Sequence, residues 1–286
     1  MESLCMGVVN ITPDSFSDGG SLPDFRSFQV KIENLIKAGA SIIDIGAQST
    51  APKAKPISQD EEIQRFERYL IPLLQTWDKE ITLSIDTFRP EVFKWLYFEN
   101  PNLNWIFNDV SGHPDFEILN LCENARMVIG HNLCPTREEA PFHLKYTPFP
   151  EENLLDHMEN FFKSKKLSKR VIIDPLFGFS KNFEQNMKLL IELPNFIKRF
   201  PLGQEFLIGI SRKSFLRKSL PISDNPMIDS EFLHLIYLSH FLKELKNHPL
   251  ILRVHDPKIF NLAKIGTTII ENTTPRGYIS NGMESL

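Results

Sequence analysis

With 286 residues, 42% hydrophobic and 24% charged, the chain has the makeup of a globular protein with a sizeable core, not of a disordered one. A formal net charge of −4 argues against nucleic acid as the main partner. Cys5, Cys122 and Cys134, without a CxxC pair, fit neither a disulfide framework nor a zinc site, and no run reaches the ~18 apolar residues of a membrane span. No basic-then-apolar leader is visible, so a soluble cytoplasmic protein is the expectation.

Along the chain, short apolar runs alternate with longer amphipathic segments. Strands are expected at 5–11, 41–46, 81–86, 104–110, 126–131, 170–174, 205–211 and 250–256. Helices are expected near 25–38, 58–77, 90–99, 114–124, 151–166, 183–197, 229–245 and 257–267. Runs such as Ser41–Gly46 (SIIDIG) are nearly continuous in apolar residues, the pattern of a parallel sheet covered on both faces. Eight strand–helix units in this length predict an α/β fold, a (β/α)₈ TIM barrel with extended βα loops, over a single domain at 1–271. The rival, an open doubly wound sheet, lacks a Gly-rich phosphate fingerprint after the first strand. Residues 132–150 read as a proline-broken loop, and 272–286 as a flexible tail. The basic run Lys163, Lys165, Lys166, Lys169 and Arg170 reads as a solvated helix end.

Polar residues cluster where strands end. Asn10 and Thr12 follow the first strand; Asp44 lies in the second, with Gln48, Ser49 and Thr50 after it. Asp86, Asn108, Asp109, His131, Asp174, Ser211, Arg212, Lys213, Arg253, His255 and Asp256 mark the other six. In a barrel these ends converge on the face where active sites are built. Asp86, Asn108 and Asp174 suit a flat heterocycle with an amidine-like donor edge and a carbonyl. Lys213, Arg253 and His255 suit a phosphorylated or other anionic group. Asn10, with Asp14 or Asp18 nearby, suits oxygen ligation of Mg²⁺. Plainer readings stand beside these. Asp14 fits a helix-capping turn, Asp44 a buried structural carboxylate and His131 a core histidine, while His113 and His143 are expected to face solvent.

The block Met6–Gly20 (MGVVNITPDSFSDGG) closely resembles the first signature of the dihydropteroate synthase family, and Gly39–Thr50 (GASIIDIGAQST) its second. Ser84–Thr87 (SIDT), Asn108 with Asp109, Asp174–Lys181 (DPLFGFSK), Gly209–Ser214 (GISRKS) and Arg253–Asp256 (RVHD) follow in the family's order. The resemblance implies a pterin-binding transferase of folate biosynthesis. It would join 7,8-dihydropterin-6-ylmethyl diphosphate to 4-aminobenzoate and release pyrophosphate. By that likeness Asp86, Asn108, Asp174 and Lys213 hold the pterin, with Asp86, Asp174 and Lys213 closest to the chemistry. Asn10 would ligate Mg²⁺ on the leaving group, which Arg253 and His255 also bind. Thr50, Pro52, Phe179, Ser211 and Lys213 would shape the aminobenzoate pocket. A homodimer, and in some organisms fusion behind the pyrophosphokinase that makes the substrate, are also implied.

The chain departs from the pattern in places. Gln48–Pro52 reads QSTAP where Glu-Ser-Thr-Arg-Pro is common, so Lys53 or Lys55 would have to reach the anion without the planar fork of arginine. Gly130-His131-Asn132 stands for a Met-His-Met-like stretch, and Ser180 where glycine is usual. The first strand also begins almost at Met1, without the usual hairpin before it. These departures keep open a catalytically silent pterin-binding paralogue; a methyltetrahydrofolate-using methyltransferase is the other alternative.

Overall fold

Eight β-branched and apolar segments pair in parallel and in sequence order, and the eighth closes on the first. The computed structural model describes residues 3–12, 24–48, 55–147, 153–220 and 223–273. Strand β1 (Leu4–Asn10) leads to α1 (Phe25–Lys37), whose start is capped by the Asp24 carboxylate accepting from the Ser27 amide. β2 (Ile42–Gly46) is followed by α2 (Gln59–Tyr69) and the short α3 (Ile71–Leu74), where Pro72 begins a new helix within the single one expected. β3 (Thr82–Asp86), α4 (Pro90–Glu99), β4 (Trp105–Asp109), α5 (Glu117–Leu121) and β5 (Ala125–Gly130) continue the alternation.

The expected loop after β5 carries structure instead: a kinked 3-10 helix spans Arg137–Lys145, with Pro141 inside it. The tight 3-10 turn tolerates the proline that the periodicity argument took as a breaker. Then come α6 (Leu154–Lys163), β6 (Val171–Asp174), α7 (Phe183–Ile197), β7 (Glu205–Ile208), the unanticipated α8 (Ser214–Lys218), α9 (Pro226–Glu244), β8 (Leu250–Val254) and α10 (Pro257–Thr273). The boundary expected at 271 thus falls inside α10, and residues 274–286 lie outside the described residues.

The main core lies between barrel and helices, built from outward strand residues such as Ile43, Phe107 and Ile173. A second core fills the barrel: Met6, Ile42, Ile106, Val128, Ile172, Leu207 and Ile251 meet in one apolar plug. Among the described residues no helix is long and apolar enough to cross a membrane. All three cysteines are buried and unbridged.

Candidate active site

Side chains on a strand alternate, so the next inward residue lies two positions beyond each plug residue. That step gives Val8, Asp44, Asn108, Gly130, Asp174, Gly209 and Arg253, with Asp86 of β3 at the height of Asn108 by register. The barrel therefore changes from apolar to polar within one layer. Above it opens a narrow cleft of about 60 Å³, lined by Asp86, Asn108, Val110, Asp174, Leu176, Phe177, Phe179, Gly209, Lys213 and Arg253.

Asp44, fully buried, organises the layer. Its carboxylate accepts from Ser84 Oγ at 2.6 Å, from Asn108 Nδ2 at 3.1 Å and from Arg253 Nε at 2.7 Å. The structural reading of this residue is the one the geometry supports. Because a carboxylate only accepts, it fixes the Asn108 amide with nitrogen down and Oδ1 up. That Oδ1 is buried and has no partner, an acceptor awaiting a donor. Arg253, expected on the leaving anion, has a second donor on Asp86, with Nη2 to Oδ2 at 2.8 Å.

Burial carries the ionisable groups of the cleft away from their ordinary values, and their neighbours modulate the shifts. Burial pushes the Asp86 carboxyl up to about 7, partly countered by Arg253, and raised further by Asp44. Burial likewise lifts Asp174 to about 6, opposed by the hydrogen bond from the Leu176 amide and by Lys213. Lys213 falls to about 8, first through burial and then through Arg253. Such perturbed groups in a cleft are the mark of a site in use.

The segment after β6 is a strained loop held from several sides. Leu176, Gly178 and Ser180 all have positive φ, at 49°, 82° and 47°. Lys181, almost wholly buried, donates through Nζ to the carbonyls of His131, Leu176 and Phe179. Asn186 Oδ1 accepts from the Gly178 amide at 2.6 Å, and Ser180 Oγ donates to Asn132 Oδ1 at 2.9 Å. Contacts of this kind hold a backbone that costs roughly 1–3 kcal/mol per strained residue. The serine at a glycine-like position thus ties this loop to the one after β5. Phe179, singled out in the sequence, has the His143 ring tilted against it at 4.1 Å and Lys213 Nζ 5.0 Å from its centre.

His143 is accordingly not solvent-facing: the 3-10 helix turns it inward and buries it. His113 is also partly covered, its Nε2 2.7 Å from the Cys134 carbonyl. His131 is a core histidine as the plainer reading had it, enclosed by His157, Phe161 and Phe162 and kept neutral by burial.

His255 and Ser211 do not line that cleft: His255 Nδ1 sits 3.0 Å from Ser211 Oγ, and the His255 ring lines a neighbouring groove with Lys31 and Asp256. Burial, then Arg253, Arg212 and Lys31, drop the His255 ring to about 3. Arg253, Arg212 and Lys31 thus act on a neutral His255, with Glu231 opposing them from its ion pair with Arg212, and the net cationic field suits an anion. Lys31 lies mid-helix on α1, and nothing in its local sequence singled it out. Asn10 ends β1, and a Cβ at Gly46 would lie 3.3 Å from its Oδ1 and 3.4 Å from the Asp86 Cβ, so glycine keeps that corner open. Asp14, Asp18, Thr50, Ala51, Pro52 and Lys53 lie outside the described residues. Lys55 is exposed.

Residues 6–245 match the family described as pterin binding enzyme. The dihydropteroate synthase of Synechocystis is 36% identical over 239 residues, covering 77% of this chain and 75% of that protein. The folate synthesis bifunctional protein of Arabidopsis thaliana is 33% identical over 242 residues, 75% of this chain and 47% of that protein. The crystal structure of dihydropteroate synthase from Clostridium difficile, in the presence of pteroic acid, superposes with a TM-score of 0.74 at 28% identity, covering 94% of this chain and 96% of that one.

Proposed function

Because this chain belongs to the pterin-binding enzyme family, we propose that its cleft is the site of a dihydropteroate synthase. It condenses 7,8-dihydropterin-6-ylmethyl diphosphate with 4-aminobenzoate to 7,8-dihydropteroate and releases pyrophosphate. The observation that carries this is the convergence of Asp174, the unpartnered Asn108 Oδ1 and Lys213 on one cleft. Two acceptors face the amidine-like edge of the pterin, and a cation faces its carbonyl side.

The aniline nitrogen is a sufficient nucleophile, so the work lies in separating the methylene carbon from a charged leaving group. Asp86 and Asp174 favour positive charge spreading from that carbon into the ring. Arg253, Arg212 and Lys31 provide the cationic field into which the diphosphate departs, with the neutral His255 ring beside them as a hydrogen-bonding group. Phe179 with His143 behind it offers a flat face for the aminobenzoate, placed on the opposite side of the carbon. Purified protein with both substrates and Mg²⁺ should release pyrophosphate and form dihydropteroate in equal amounts. Pterin binding without product would leave the silent paralogue standing, and a large isotope effect pattern of tight in-line attack would overturn the cation-like path.

Asn10 fits Mg²⁺ by donor chemistry: a hard amide oxygen at a corner kept open by Gly46, for an ion that takes few protein ligands and completes its shell with phosphate and water. Bound there, Mg²⁺ supplies neutralisation of the leaving group's charge. Asn10→Ala is expected to raise the Mg²⁺ concentration for half-maximal pterin diphosphate binding about tenfold or more, read by calorimetry. Unchanged Mg²⁺ dependence removes Asn10 from the metal.

Homodimerisation is supported by the outer helices. Met227, Ile228, Phe232 and Ile236 of α9 and Leu262, Ile265 and Ile269 of α10 are large apolar residues about half exposed or more. From Ile228 to Ile236 and from Leu262 to Ile269 they recur three or four positions apart on two adjacent helices, giving an apolar stripe on each. Phe232→Glu should convert a dimer to a monomer by light scattering with the far-UV spectrum kept; a wild-type monomer at micromolar concentration refutes it. The bifunctional relative supports an upstream pterin pyrophosphokinase on the same polypeptide. A native protein well above the mass of the barrel alone would bear this out.

A further inference from the structure

Gly130 is a gap in the polar layer. Every other strand with a side chain there sends it toward the barrel axis, but at Gly130 an added Cβ would lie 2.3 Å from Leu176 Cδ1 and 2.8 Å from its Cγ. The missing side chain of β5 is therefore replaced by one reaching in from the loop after β6. Leu176 adopts a left-handed backbone, φ 49°, that disfavours an ordinary L-residue. It is held there by the Asp174 carboxylate, which accepts from its amide at 2.7 Å, and by Lys181 Nζ and the Phe179 amide, which donate to its carbonyl at 3.1 and 3.2 Å. The strain delivers the isobutyl group, buried, against Val110 and Phe179 on the wall of the cleft.

We propose that Leu176 is the apolar wall that sets the plane of the pterin ring, and that Gly130 is the vacancy that admits it. This rests on the dihydropteroate synthase reading and adds a substrate-positioning residue to it. The polar set of the cleft, Asp86, Asn108, Asp174, Lys213 and Arg253, fixes a flat ring's direction within its plane but not the plane itself. Face contact does that, and Leu176 supplies it two residues from the Asp174 carboxylate, so wall and donor-reading edge move as one piece. Leucine here also shields the Asp174 and Asn108 hydrogen bonds from water, where they are worth more.

Leu176→Asn tests the wall, because asparagine tolerates a left-handed backbone and keeps the volume while removing the apolar face. Calorimetric binding of 6-hydroxymethylpterin diphosphate should weaken about tenfold, with the KM for 4-aminobenzoate within about twofold of wild type. Leu176→Met should bind within about threefold of wild type. Gly130→Ala should weaken pterin binding at least as much as Leu176→Asn, and that effect should vanish in a Leu176→Ala background, where the colliding atoms are gone. Unaltered pterin binding by Leu176→Asn, or strictly additive effects of Gly130→Ala and Leu176→Ala, would overturn the proposal and leave the synthase reading intact. Failure of the wild-type protein to bind the pterin would instead sink the reading itself.

Discussion

Asp174→Asn is expected to lower kcat/KM for the pterin diphosphate by about 10³-fold while leaving the melting temperature unchanged or higher. The activity loss follows from position: Asp174 ends β6 inside the cleft, where its carboxylate is the acceptor best placed for a donor edge. An amide keeps one acceptor and replaces the other with a donor, so a buried N–H of the substrate loses its partner. The stability effect has the opposite sign. Burial raises the Asp174 carboxyl to about 6 from an unfolded value near ~3.9. A carboxyl raised on folding favours the native state only below its unfolded value, and that contribution is lost as the pH climbs through about 6. At pH 7.5 the charged Asp174 therefore burdens the fold, and the amide relieves it while its oxygen still accepts from the Leu176 amide.

The pH profile checks the same assignment. In the free enzyme kcat/KM should rise as Asp174 and Asp86 ionise around pH 6 to 7, and fall as Lys213 loses its proton near 8. Asp174→Asn should make the acid limb shallower, since one of its two carboxyls is gone. A variant with less than a tenfold loss, or one that melts several degrees lower, would make Asp174 a structural group.

The barrel was legible because buried parallel strands write themselves as short apolar runs, and Val171–Asp174 and Ile42–Gly46 are too short for helices and alternate with helical segments. The site was legible to the extent that polar residues end those runs: Asp86, Asn108, Asp174, Lys213, Arg253 and Phe179 meet in the cleft. What the sequence hid depends on through-space facts. Nothing local says that Asn108, Ser84 and Arg253 share one carboxylate, because Asp44 and Arg253 are 209 positions apart. A leucine reads as core wherever it stands, and only its φ reveals that Leu176 is thrust into the cleft. His143 looked exposed because prolines surround it; a 3-10 turn built on Pro141 aims it at Phe179. The arrangement around Gly130 had one sequence signal, glycine where a larger residue is common, but its partner lies 46 residues on.

Asp44→Asn should cost about 3 kcal/mol of stability and most of the activity, although the side chain never reaches the cleft surface. Three donors converge on its two oxygens: the Ser84 hydroxyl, the Asn108 amide nitrogen and the Arg253 Nε. Asparagine offers one oxygen and turns an NH₂ toward the remaining donors. Ser84 can rotate its hydroxyl to accept, but Arg253 has no such freedom and, at 20% side-chain exposure, is left short of a charge partner in a place water scarcely reaches. Asn108 can escape only by flipping, which withdraws Oδ1 from the cleft and presents a donor to a ring edge that is itself a donor. Stability loss and binding loss thus share one cause, and urea denaturation with pterin calorimetry on the same sample reads both. Asp44 also raises the Asp86 carboxyl, so removing its charge eases Asp86 ionisation, and the acid limb of whatever activity remains should move to lower pH. Wild-type stability with pterin binding lost would reduce Asp44 to an orienter of Asn108. If both survive, the carboxylate does not organise this layer, and Arg253 must be held by Asp86 alone.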